Sequence, residues 1–230
     1  MIVYIINLDS RQDRWQSVIH QAQLLNFQFV RISAIDSSQP NTDSNPYLAD
    51  GVFAIWKSHQ RALNQFLATS ESHCLILEDD FLLTKKYSSA KIESFAAGKF
   101  DFIQIGFLKF GVLDRLNLLA KNASDVFFKF LHKISLILPG TNFNSRLFIS
   151  SQSGIKIKLV LANIRPGAHA YVVSRKMAEA LLEINSPPFL STDLLYMALG
   201  EMRCFRMVRT RRSLVRQSNS KSSVMDRFKN

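Results

Sequence analysis

Three consecutive carboxylates, Glu78, Asp79 and Asp80, stand where the apolar run Cys74-Leu75-Ile76-Leu77 stops. Carboxylate oxygens suit a hard divalent cation such as Mg²⁺ or Mn²⁺, and a cation relieves the repulsion among them. The apolar run reads as a strand buried on both faces, as in a parallel sheet. Ligands of open α/β sheets lie beyond the carboxyl ends of the strands, so the three acids fall where such a sheet places its site. Alternation along the strand sends Glu78 and Asp80 to one side and Asp79 to the other, leaving at least two oxygen ligands to converge. A solvated acidic turn is the competing reading of the same three residues.

The elements that must position this strand are legible on both sides of it. Ile2 to Leu8 reads as a first buried strand, and Asp9-Ser10 as the cap of an amphipathic helix through Arg11, Arg14, Trp15, Val18 and Ile19. Arg11 and Arg14 at that helix start suit a nucleotide diphosphate, or are exposed helix arginines. The alternating stretch 27–32 predicts a second strand leading to Asp36, which either binds a ribose hydroxyl or closes a turn with Ser37 and Ser38. Phe53, Trp56, Leu63, Phe66 and Leu67 recur at helical spacing, with His59 on the same stripe, either packed beneath the site or in contact with ligand. Residues 100–106 predict a further strand beside the acidic one. Another ends at Val173, before a helix capped by Ser174 and stopped ahead of Pro187-Pro188. Asp193 then falls in the first turn of a helix, where an acid also complements the helix dipole. Residues 107–160 read as amphipathic helix, for a core or for a membrane surface.

Composition bounds the function. The 230 residues, 47% hydrophobic and 20% charged, predict one folded α/β domain with a sizeable core. Cys74 and Cys204 make no disulfide framework, and the five histidines have no zinc-site spacing. No apolar run is long enough to span a membrane and the first residues lack a basic leader, so a cytoplasmic location is expected. The net charge of +11 is concentrated late: Arg203, Arg206, Arg209, Arg211, Arg212, Arg216, Lys221, Arg227 and Lys229 crowd the last thirty residues. Residues 206–230 therefore read as a basic tail following a domain over 1–205, suited to peripheral contact with an anionic membrane. No motif for specific nucleic-acid recognition accompanies the charge.

Together the pieces resemble glycosyltransferase family 25, which includes bacterial lipooligosaccharide galactosyltransferases. The resemblance is carried, in order, by residues 4–14, Ser33-Ala-Ile-Asp36, Lys57-Ser-His59, Leu77-Glu-Asp-Asp80, residues 100–106, residues 167–176 and Thr192-Asp193. Leu214-Val-Arg-Gln217 also fits. The resemblance implies a GT-A-type, Rossmann-like fold with a mostly parallel central sheet, a UDP-sugar donor and Mn²⁺ or Mg²⁺ at Glu78, Asp79 and Asp80. It further implies a donor pocket drawn from Asn7, Leu8, Arg11, Arg14, Ala34, Asp36, Ser58, His59, Asp79 and His169, with Asp193 as the catalytic base of an inverting transfer. Galactose would pass to a glycan or glycolipid such as lipopolysaccharide core, with 107–160 on the acceptor side. A metal-dependent phosphoryl-transfer enzyme or nuclease, and a non-catalytic basic binding protein, are the alternatives.

Overall fold

The computed structural model of the chain describes residues 1–38, 48–108, 159–161 and 164–218. Most of the expected acceptor-side segment, and residues 219–230 of the expected tail, lie outside the described residues.

The apolar strands divide their side chains between two cores, as period-2 geometry requires. In β1 (Ile2–Asn7), Tyr4 and Ile6 join one core while Val3 and Ile5 join the other. In β3 (His73–Glu78), Cys74 and Ile76 part from Leu75 and Leu77 in the same way. The first core is closed by α2 (Asp50–Leu67), which contributes Trp56, Leu63 and Phe66, together with two later helices. These are α4 (Arg175–Ile184) and α5 (Thr192–Met202). The second core is closed by α1 (Gln12–Gln23) and α3 (Ser89–Ala96), with Phe81 of the short β4 (Phe81–Leu83). Ser174 and Ser191 cap α4 and α5 by accepting hydrogen bonds from the backbone N–H of Met177 and Leu194.

The remaining strands are β2 (Phe29–Ser33), β5 (Phe102–Gly106), β6 (Leu159–Leu161), β7 (Ala170–Ser174), β8 (Met207–Thr210) and β9 (Val215–Gln217). Their order in the sheet is β2-β1-β3-β7-β5-β8-β6, and β9 joins β4 to the end of β5. The sheet is mixed rather than mostly parallel. β1 runs parallel to β2 and β3, and β5 to β8 and β9, but β7 lies antiparallel between β3 and β5. β6 is antiparallel to β8, and β4 to β9. A short strand buried on both faces reads alike in either direction, so the apolar pattern alone did not reveal the reversal of β7.

Two further expectations are corrected. Residues 207–210 and 215–217 are strands, β8 lies between β5 and β6, and Arg209 is buried over the Phe107 ring at 5.2 Å, so no tail begins at 206. The N-cap of α1 is Arg11 and makes no side-chain cap bond. Asp9 instead accepts from Ser33 Oγ at 2.5 Å and pairs with Arg31 at 2.9 Å, tying the end of β1 to β2.

Leu75 is fully buried at the centre of the sheet. Leu75→Ala is expected to lower the unfolding free energy by about 3 kcal/mol in urea titrations, because a cavity at a strand hemmed in on both sides relaxes little. A loss below about 1 kcal/mol would contradict the two-core packing.

Candidate active site

The carboxyl ends of β1 and β3 stand side by side, with Ile6 opposite Glu78 in the pairing. Alternation separates the first two acids as expected. Asp79 turns toward α1, where its Oδ1 accepts from Arg14 Nη1 at 3.0 Å and its Oδ2 from Asn7 Nδ2 at 2.7 Å. Asn7 is itself fixed by Arg31, whose Nε and Nη2 donate to Asn7 Oδ1 at 2.9 and 2.6 Å. Both side chains of the Arg14–Asp79 pair are about nine-tenths buried, so each charge depends on the other.

This arrangement revises the sequence expectation. Each Asp79 oxygen accepts one hydrogen bond, although the residue still lines the cleft, and Arg14 is an anchor for Asp79. Arg11 makes a two-pronged pair with exposed Asp13 at 2.8 and 2.7 Å. That hydrogen-bonded pairing holds the Asp13 carboxyl down to about 2. Among the described residues, no group of three His, Cys, Asp or Glu side chains forms a metal-ligand cluster.

Glu78 and Asp80 remain turned to the cleft. Glu78 Oε2 accepts from Gln217 Nε2 at 3.4 Å, and its Oε1 lies 3.6 Å from His59 Nε2. Asp80 Oδ1 is buried and has no hydrogen-bond partner among the described residues. Burial first, then neighbouring negative charge, raises both carboxyls above their usual range: Asp79 acts on Glu78, and Glu78 with Asp79 acts on Asp80. Two acids with an orphaned oxygen fit a small divalent cation, which takes one or two protein carboxylates and completes its shell with water and substrate phosphate.

Asp193, in the first turn of α5, is half-buried on the wall that also carries His59 and Glu78. Burial, then the charge of Glu78, pushes its carboxyl up to about 6, against the pull of hydrogen bonds from the Gly167 and Ala168 backbone. Those two residues reach the site because β7 starts at the end where β3 stops; the Glu78 amide donates to the His169 carbonyl at 3.0 Å. The His169 ring itself is buried against Gly106 and Gly167 and held neutral, its pKa lowered by burial to about 4. A Cβ at Gly106 would approach His169 Nε2 to 2.6 Å. Glycine there is required by the ring.

Behind the acids lies a polar chain that the sequence did not single out. Tyr196 OH donates to Tyr171 OH at 2.8 Å, and His59 Nδ1 lies 2.8 Å from Tyr171 OH. His59 is neutral, its pKa lowered by burial to about 4. With its Nδ1 accepting from Tyr171, its Nε2–H faces Glu78. Tyr171 falls within the residue 167–176 stretch of the family resemblance, the only signal that pointed to it; Tyr196 looks like another apolar residue of α5.

The donor candidates gather at the other end. Asn7 accepts the Ala34 amide on its backbone carbonyl at 2.9 Å, and Ser58 Oγ accepts from the Ile35 amide at 2.8 Å. Leu8, Ala34 and Ser58 line the cleft there. Asp36 also lines it, but its Oδ1 accepts from the amide and hydroxyl of Ser38 at 2.9 and 2.8 Å, forming the turn foreseen as its alternative role. The cleft lined by Leu8, Ala34, Asp36, Ser58, Glu78 and Asp193 has a volume of about 2090 Å³, more than one small ligand fills.

A mixed α/β sheet with an acid-lined cleft at its strand ends defines an α/β protein with a candidate ligand site. The family comparison narrows it: the model of glycosyltransferase family 25 (LPS biosynthesis protein) matches residues 1–196, and the chain belongs to that family. It is thus a glycosyltransferase by family. No curated protein matches the chain. Among solved structures, the crystal structure of A197 from STIV superposes with a TM-score of 0.45 at 14% identity, covering 93% of this chain and 82% of that one. A glycosyltransferase involved in glycosylation of the major capsid of PBCV-1 superposes at 0.34 and 10% identity, covering 86% and 65%. Superpositions this loose bear on neither fold nor function.

Arg14→Ala leaves Asp79 buried without its counter-charge. The expected loss is on the order of 3 kcal/mol in thermal or urea unfolding, with Arg14→Lys between the two. Unfolding of Arg14→Ala indistinguishable from the parent chain would refute the anchoring role.

Proposed function

We propose that the cleft binds a nucleotide sugar at the carboxyl ends of β1, β2 and β3 and transfers its sugar to a hydroxyl of a glycan acceptor. The supporting observation is that Glu78, Asp80 and Asp193, from two different elements, face one cleft in a chain of this family. Leu8, Ala34 and Asp36 lie on the nucleoside side, with buried Asn7 behind them bracing Asp79 and Ser58 holding the 34–36 turn against α2. Glu78 and Asp80 would hold Mn²⁺ or Mg²⁺, and such an ion supplies neutralisation of the charge that develops on a departing nucleoside diphosphate.

Asp193 is the general base. As the acceptor oxygen bonds to the anomeric carbon, the bond from that carbon to the diphosphate oxygen breaks, and the hydroxyl proton passes to the Asp193 carboxylate. Attack from the face opposite the leaving group inverts the anomeric centre. The carboxyl of Asp193, raised to about 6, is ionised at neutral pH yet basic enough to take the proton. Neutral His59, held by Tyr171, sits beside Glu78 without adding a charge. The family description, an LPS biosynthesis protein, supports a lipopolysaccharide-core acceptor, and UDP-galactose is the first donor to try.

The first test is thermal shift with UDP-galactose and other nucleotide sugars, each with Mn²⁺ or EDTA. One donor should raise the melting temperature in a Mn²⁺-dependent way, and Asp80→Asn should remove that dependence. No shift with any donor, in folded protein, would count against the proposal. Asp193→Asn is expected to lower sugar transfer at least ~10²-fold while donor binding persists.

The pH dependence follows from the raised carboxyl. Below pH about 6 Asp193 takes a proton, so kcat/KM should fall about tenfold per unit there and level off above it. A profile flat from pH 5 to 8 would remove Asp193 from the base role.

A further inference from the structure

Five basic side chains line the same cleft without a carboxylate counter-charge among the described residues. Lys85 and Lys86 follow β4, Arg211 and Arg212 precede β9, and Arg216 stands on β9 opposite Leu82. The Thr84 amide donates to the Leu214 carbonyl at 2.9 Å, which brings the two basic pairs together. None of the five forms an ion pair with a carboxylate among the described residues. Their crowding is felt at Lys86, whose ammonium is depressed by desolvation first and then by the charges of Arg212, Arg216 and Lys91. Like charges gathered this closely repel, and an anion bound among them removes that repulsion.

We propose that this rim is a subsite for phosphate groups carried by the acceptor glycan, a reading that rests on the transferase function above. The strand order sets its β9 side apart from the donor end. β9 adjoins the end of β5, on the far side of β3 from β1 and β2 in the strand order. A divalent cation held by Glu78 and Asp80 would neutralise the diphosphate of one donor, and the five rim cations would then be left for a second anion. The volume of about 2090 Å³ leaves room for that second ligand. Guanidinium forks at Arg211, Arg212 and Arg216 suit phosphate oxygens two at a time. The Ser218 amide donates to the Asp80 carbonyl at 2.6 Å, linking the rim strand to the acidic turn. An acceptor gripped there would present a neighbouring hydroxyl to the acid-lined centre.

The test is calorimetric titration of the full chain with inositol hexakisphosphate at low salt, alone and with saturating UDP and Mn²⁺. Binding is expected in both conditions. It should weaken at least tenfold in the triple variant Lys86→Ala/Arg211→Ala/Arg212→Ala and change little in Lys99→Ala, an exposed lysine away from the cleft. Displacement of the polyphosphate by UDP and Mn²⁺ would assign the cations to the donor and overturn the proposal, as would equal binding by the triple variant. Flotation with phosphatidylglycerol–phosphatidylcholine vesicles, lost in the triple variant, without polyphosphate binding would make the rim a membrane contact and overturn it equally. Failure of the transferase reading shows separately, as absence of any UDP-sugar thermal shift.

Discussion

The buried pair between Arg14 and Asp79 is the constraint on which the site depends. Three adjacent carboxylates at one strand end repel, and no fold holds them together without dividing them. Here the strand's alternation turns the middle acid away from its neighbour, and Arg14 with Asn7 captures it there. The same contact pins α1 to the ends of β1 and β3, so the helix start and the acidic turn form one rigid body. Glu78 and Asp80 are left facing the cleft, their carboxyls raised by burial and by neighbouring negative charge.

A second constraint is the reversal of β7. Because it runs against β3 and β5, its first residues lie at the carboxyl end of the sheet, and Gly167, Ala168 and the His169 backbone reach Glu78 and Asp193. The reversal also places Tyr171 between His59 and Tyr196, so α2, β7 and α5 meet in one buried hydrogen-bonded chain behind the acids. Burying these hydroxyls is tolerable because each has a partner. The chain gives Asp193 a fixed position relative to Glu78 although the two lie on different elements.

The late basic residues show how one composition serves two physical ends. Arg209 is drawn into the sheet and stacks over Phe107, its charge set among protein groups. Arg211, Arg212 and Arg216 remain exposed on the cleft rim, two residues or a few away. Charge counted along the chain does not distinguish these fates, since burial is decided by which strand edge each residue meets. That is why a stretch that reads as a tail is in part the interior of the sheet.

By itself the sequence determined the alternating strands, the capping serine of α4, the acidic turn at the end of β3 and the presence of Asp193 in a first helical turn. These are local properties, set by side-chain period and by backbone groups that need a partner close along the chain. Division of the three acids was legible too, because alternation needs no knowledge of the fold. Only the tertiary structure decided where each acid then points, that Arg14 serves Asp79, that Asp36 closes its own turn and that Tyr171 and Tyr196 back the site. It alone set the direction of β7 and the strands beyond residue 206. Such facts depend on pairing between residues far apart in the chain, and a short apolar strand carries no mark of its partner or its direction.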